Sequence, residues 1–230
     1  MTLVVAPHAP VLVPVQGGGN FPVHRIYCVG RNYAEHAQEM GFSGREPPFF
    51  FMKPADAVMN VADGTVGAMP YPPLTQNLHH EAELVVAIGK GGAGIAAADA
   101  AEHIYGYAIG LDMTRRDLQN DMKKQGRPWC IGKAFDHSAP IGPIHPRAAT
   151  GELTRGSITL SVNGQQRQRG DLAELIWNVN ETLAHLSAAW TLQPGDLIFT
   201  GTPAGVGAVV RGDQMEVAIA GLGSLKVAVC

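Results

Sequence analysis

The run His79-His80-Glu81-Ala82-Glu83-Leu84-Val85-Val86 sets two glutamates one residue apart. Read as a strand, it puts Glu81 and Glu83 on one face, about 6–7 Å apart at the backbone. Two carboxylates at that spacing repel by roughly 2–3 kcal/mol at a protein-like dielectric. The apolar continuation Leu84 to Ile88 half-buries the pair, and a buried anionic pair needs a cation or protons. Carboxylate oxygens suit Mg²⁺, Mn²⁺ or Ca²⁺. Alone, the pattern reads as an edge strand with one solvated face. Asp112 shifts that balance. It ends the Ile104 to Leu111 run, where strand turns into helix. If the two strands lie side by side, three carboxylates meet as a metal site; the plainer role of Asp112 is to help start a helix at Thr114.

Other residues offer acid–base and anion-binding chemistry. His36 and Glu39 stand at i and i+3, one face of a helix, where imidazole and carboxylate together orient a water and take its proton. On spacing alone they read as a surface pair. Lys133, in Ile131-Gly132-Lys133-Ala134, is a lone lysine in an apolar, glycine-bounded stretch, suited to an anion or to snorkelling. Thr200-Gly201-Thr202-Pro203-Ala204-Gly205-Val206-Gly207 offers hydroxyls and backbone N–H groups, a carboxylate cradle or simply a tight turn. Arg115, Arg116, Lys123, Lys124 and Arg127 read as a solvated helix face, or as a face with one arginine turned inward to an anion. Gly92-Ala93-Gly94-Ile95-Ala96-Ala97 imitates a dinucleotide fingerprint. It fails on two counts: the helix after it has room for about two turns, and the strand before it carries two glutamates.

The elements that position these groups are short. His24 to Val29, Phe49 to Met52, His80 to Ile88 and Ile104 to Leu111 read as strands. Ile95 to Ala101 reads as a short helix, Tyr33 to Met40 as a helix stopped at Gly41, and Thr114 to about Lys124 as a polar helix. Ile158 to Val162 runs into Asn163-Gly164, a hairpin signal. Leu175, Ile176, Val179, Leu183, Leu186 and Trp190 recur at helical spacing, predicting a helix over Glu174 to Trp190. Leu197 to Thr200, Gln214 to Ile219 and Ser224 to Val229 complete the strands. The expected fold class is α+β and β-dominated: a mobile arm over residues 1–22, ending near Gly17-Gly18-Gly19, and one domain over 23–230.

Composition agrees. A chain of 230 residues, 46% apolar and 16% charged, supports one sizeable core. Its 28 glycines and 16 prolines imply many turns. A net charge of −3 disfavours a nucleic-acid binder. Cys28, Cys130 and Cys230 are odd in number and lack C-x-x-C, which points to a reducing compartment. No apolar run reaches the roughly 18 residues of a membrane span, and the N-terminus lacks the positive start of a signal peptide. A cytoplasmic protein with no membrane partner is expected.

Taken jointly, these segments resemble the fumarylacetoacetate hydrolase family. The matching pieces are Val29-Gly30-Arg31-Asn32-Tyr33-Ala34-Glu35-His36, Phe51-Met52-Lys53-Pro54, Asn77 to Leu84, Gly110 to Gln119, Gly132-Lys133-Ala134-Phe135-Asp136, Val162-Asn163-Gly164 and Thr200 to Gly207. They keep the family's order and cover roughly residues 24 to 228. The resemblance implies a mixed β-sandwich roll with short peripheral helices, assembled as a homodimer. It implies one Mg²⁺ or Mn²⁺ on Glu81, Glu83 and Asp112, and a water-activating dyad of His36 and Glu39. Lys133 would stand beside the metal, with Arg116, Gln119 and Thr202, and also Arg31 and Lys53, on the substrate. His137 departs from the threonine common after Phe-Asp in relatives. The implied activity is hydrolytic C–C cleavage of 2,4-dioxo acids, the acylpyruvates, with fumarylpyruvate from bacterial gentisate breakdown as the expected substrate. Oxaloacetate decarboxylation, or a hydratase or isomerase of related dioxo acids, is the alternative. A non-catalytic binder of pyruvate-like acids and a dinucleotide oxidoreductase are remoter.

Overall fold

A computed structural model describes residues 3–33 and 45–230. The helix expected over Tyr33 to Met40, with His36 and Glu39, lies outside the described residues beyond Tyr33. Two curled sheets form the body. The larger runs Phe49–Lys53, Ile26–Gly30, Leu197–Phe199, Ala82–Ile88, Ile104–Leu111, Ala139–Ile141 and Val58–Asn60, with His145–Pro146 pairing beside Ile104–Leu111. The smaller runs Gln165–Asp171, Ser157–Val162, Gln214–Ile219, Gly223–Val229 and Val66–Met69. Parallel and antiparallel pairs mix in both. Short helices sit around them, as the expected α+β roll requires.

Alternation explains how the central strand serves two cores. Every residue of Ala82–Ile88 is buried. Leu84, Val86 and Ile88 join the large core with Ile158, Leu160, Val217 and Leu183. Val85 and Ala87 point the other way, into a second core with Cys28, Ala108, Ile141 and Phe199. The N-terminal segment covers that second core. Expected as a mobile arm, it folds from Leu12 into a hairpin, Leu12–Pro14 with Asn20–Pro22, whose Val13 and Phe21 are buried. The prolines that break a helix or membrane span there leave a short edge hairpin intact.

Three further expectations are corrected. The Glu174 to Trp190 helix begins only at Val179, because Asn178 caps it in a reciprocal box with Glu181. Before the cap, Ile176 N donates to Asn32 O at 2.8 Å and Leu175 bridges Tyr33, so backbone pairing overrides the periodicity. Ile95 to Ala101 is not an α-helix; a single 3₁₀ turn, Ala100–His103, stands there. Thr114 does not cap a helix. It pairs with His79 in a small sheet, and the helix runs Arg116–Lys124.

Candidate functional site

The strand expected over His80 to Ile88 is interrupted at Glu81. Leu78–His80 leaves the main sheet to pair with Thr114–Arg115 and Gly207–Val209, while Ala82–Ile88 stays in it. The ladder still crosses the break, since Asp112 N donates to Glu81 O at 2.9 Å. Register then dictates the site. Glu83 lies opposite Gly110 on Ile104–Leu111, and Asp112 follows two residues on, so all three carboxylates face one side. Their oxygens come within 4.8 Å of one another and all three residues are buried. Burial, and then the charges of Asp112 and Glu81, push the Glu83 carboxyl well above the ordinary range. Glu83 Oε2 accepts from Gly201 N at 2.7 Å. That N–H is aimed by a left-handed backbone at Gly201, φ +101°, which other residues rarely adopt.

Among the described residues, three cations are ion-paired with two of these carboxylates, Glu81 and Asp112. Lys133 Nζ lies 2.6 Å from Asp112 Oδ2 and 2.8 Å from Glu81 Oε2. Arg116 pairs with Glu81 Oε1 and donates to Gln119 Oε1 at 2.6 Å. Lys53 Nζ stands 2.8 Å from Asp112 Oδ1, off the line of a hydrogen bond, so that oxygen has no hydrogen-bond partner. The turn carrying Lys133, Cys130–Lys133, sits tight on the neighbouring helix: a Cβ on Gly132 would come within 2.8 Å of Gln119 N.

The set fits a divalent cation. It offers three buried carboxylates, one with an orphaned oxygen, and hard oxygen donors are what Mg²⁺ and Mn²⁺ take. The carboxylates border a cavity of about 30 Å³, roughly the room of one water. Arg31, Arg116, Gln119, Lys133 and Thr202 line it, with Phe51 and Trp129 as apolar wall. Larger clefts of about 660 and 610 Å³ lie elsewhere and hold none of these carboxylates.

The geometry therefore gathers eight of the residues singled out from sequence: Arg31, Glu81, Glu83, Asp112, Arg116, Gln119, Lys133 and Thr202. Lys53 is placed differently from the expectation. It is 1% exposed, lies behind Asp112, and donates to Met113 O and Lys133 O rather than reaching the cavity. His36 and Glu39 lie outside the described residues. Sequence reading missed Gln168, fully buried on the otherwise polar strand Gln165–Asp171. Only the register beyond the Asn163-Gly164 turn reveals it.

Comparison with known proteins agrees with this construction. The model of the fumarylacetoacetate (FAA) hydrolase C-terminal family matches residues 25–230. A crystal structure of fumarylpyruvate hydrolase from Pseudomonas aeruginosa, in complex with Mn²⁺ and pyruvate, superposes with a TM-score of 0.97 and 58% identity, covering 99% of each chain. A mitochondrial oxaloacetate tautomerase from Homo sapiens is 40% identical over 200 residues, 87% of this chain and 89% of that protein. An oxaloacetate tautomerase from Escherichia coli K12 is 39% identical over 203 residues, 88% and 91% of the two. A core that crosses two adjacent strands to gather a buried carboxylate triad, matched over nearly its whole length, makes this chain a member of the fumarylacetoacetate hydrolase family.

Proposed function

We propose that the protein hydrolyses a C–C bond of acylpyruvates, with fumarylpyruvate as substrate and fumarate and pyruvate as products. What supports this over other activities in the family is the 58% identity across 99% of both chains to an enzyme named fumarylpyruvate hydrolase, against 39–40% to the tautomerases. The site's chemistry is consistent with it. A divalent ion on Glu81, Glu83 and Asp112 supplies Lewis acidity toward the oxygens of a 2-oxo acid. Thr202 and Arg31 hold a substrate carboxylate, while the bond between Gln119 and Arg116 keeps the guanidinium oriented. The dyad of His36 and Glu39 takes a proton from water. The water oxygen adds to the carbonyl distal to the pyruvate unit, and the C–C bond breaks. Its electron pair passes to the pyruvate fragment, which gains a proton. Lys133, its ammonium within 3 Å of Glu81 and Asp112, stabilises the oxygen charge that develops on that fragment. A homodimer in the cytoplasm belongs to the same proposal.

The second reading is keto–enol interconversion of oxaloacetate, favoured by the two tautomerase relatives. Ultraviolet loss of the fumarylpyruvate enol, with Mg²⁺ or Mn²⁺ and then with EDTA, tests the first. Metal-dependent loss yielding equal fumarate and pyruvate is expected. No turnover by folded, metal-loaded protein, together with oxaloacetate enol decay without loss of carbon, overturns it in favour of the second.

A further inference from the structure

Gln168 carries no role in the reading above, yet it ties together both halves of the site. It is fully buried on Gln165–Asp171, where Gln165, Gln166, Arg167 and Arg169 are exposed. A bulge turns it inward: Leu160 pairs with Gln168 and Ser161 with Gln166, leaving Arg167 as the extra residue. The loop Thr202 to Gly205 presses against it. A Cβ on Gly205 would come within 2.1 Å of Arg167 O, so only glycine lets the two segments approach so closely.

The amide has one orientation. Oε1 faces Ala82 N at 3.1 Å, a donor only, and Nε2 faces Pro203 O at 2.8 Å, an acceptor only. His80 Nδ1, 3.0 Å from Oε1, must carry its proton. The second N–H of Nε2 therefore donates to Thr202 Oγ1 at 2.8 Å. With a lone pair of Oγ1 taken, the Thr202 hydroxyl proton has to point elsewhere, and no acceptor for it stands among the described residues. Thr202 lines the cavity beside the carboxylate triad. Ala82 and His80 also flank Glu81, where the strand breaks, so the same amide props that break.

We infer that Gln168 is a positioning residue: it fixes the Thr202 hydroxyl as a hydrogen-bond donor into the cavity and so sets affinity for the carboxylate of a 2-oxo acid. This rests on the reading that Thr202 faces substrate. Gln168→Glu keeps the shape and the acceptor toward Ala82 but cannot donate to Thr202, whose proton then turns back to the new carboxylate. Losing a hydrogen bond to a charged group weakens binding about tenfold to a hundredfold.

The test measures KM for fumarylpyruvate, kcat, and the Kd of pyruvate on the Mn²⁺-loaded protein. The variants are Gln168→Glu, Thr202→Val and the double Gln168→Glu/Thr202→Val. The inference expects KM and Kd to rise at least tenfold in Gln168→Glu with kcat within about threefold. It expects Gln168→Glu to add nothing on the Thr202→Val background. Additive effects, or a Gln168→Glu KM and Kd within twofold of the parent at unchanged melting temperature, overturn it. Should Gln168→Glu fail to fold, Gln168→Met carries the same expectation. A parent that binds pyruvate but leaves fumarylpyruvate intact sinks the proposed reaction alone, and the pyruvate Kd values still decide the role of Gln168. A parent that binds no pyruvate overturns both.

Discussion

Lys53→Met isolates what a buried lysine behind a metal-type site contributes. Lys53 is 1% exposed, and its Nζ is 2.8 Å from Asp112 Oδ1 and bonded to Met113 O and Lys133 O. Removing one partner of a buried ion pair costs about 3–5 kcal/mol, because the other charge stays buried. The lower half of that range applies here, since Lys133 still holds Asp112 Oδ2 at 2.6 Å. Unfolding entropy near 2.1 cal/mol/K per residue makes about 0.5 kcal/mol per degree for a chain of this length. The melting temperature in EDTA should therefore fall by about 6–8 °C. Added Mn²⁺ should recover more degrees in the variant than in the parent, because a dication takes over the uncompensated charge on Asp112. Differential scanning calorimetry reads both numbers, and Asp112→Asn completes a double-mutant cycle with coupling above ~1 kcal/mol. A Lys53→Met protein that melts within 2 °C of the parent, or a cycle that is additive, refutes the ion-pair account. A lysine that contacted substrate instead would leave the EDTA melting temperature alone and raise KM.

Glu83→Gln should keep the metal-free melting temperature, since an amide oxygen still accepts from Gly201 N, but lose most of the Mn²⁺-induced rise; an undiminished rise counts against Glu83 as a ligand. For a bound ion at a hundred times its Kd, that rise is about 2.7 kcal/mol, or roughly 5 °C. Gly132→Ala should lower kcat at least tenfold while leaving Mn²⁺ affinity within threefold, because a Cβ there meets Gln119 N and lifts the turn that aims Lys133. Thiol titration of the native protein should find two reactive groups, Cys130 and Cys230, both exposed. Cys28 is buried, and burial pushes its thiol well above the usual range, so it should react only on unfolding. A third fast thiol in native protein would show that the second core opens.

The metal carboxylates were legible because two local patterns coincide. Alternation in Glu81-Ala82-Glu83 and the position of Asp112 at a strand end both survive in the register of adjacent strands. Strand alternation also delivers Lys53 to the site's side of the sheet, opposite Ile26. It does not say how deep an ammonium sits, which is why Lys53 was expected on substrate and lies behind Asp112. The break at Glu81 could not be read, since it depends on Leu78–His80 finding other partners 35–37 and 127–131 residues away. Gln168 was invisible for a related reason. Its inward turn comes from one extra residue in a hairpin, and a one-residue shift exchanges the two faces of a strand. Periodicity misplaced the start of the Val179–Ala189 helix because capping by Asn178 is a stronger local signal than apolar spacing.

Among the described residues, three cations are ion-paired with Glu81 and Asp112 and Arg31 lines the same cavity, so the three acids leave no negative charge uncancelled there, and that has a thermodynamic consequence. Ligation requires all three acids ionised, so a site that gains a dication gains two uncancelled charges in a buried place. A doubly charged anion is the partner that removes this excess. Metal and substrate should then be linked ligands: each tightens the other by the same factor, as equilibrium reciprocity demands. Chelators should strip the ion fastest from the substrate-free protein and slowest from one occupied by a dicarboxylate. The protein would hold its ion most firmly while at work.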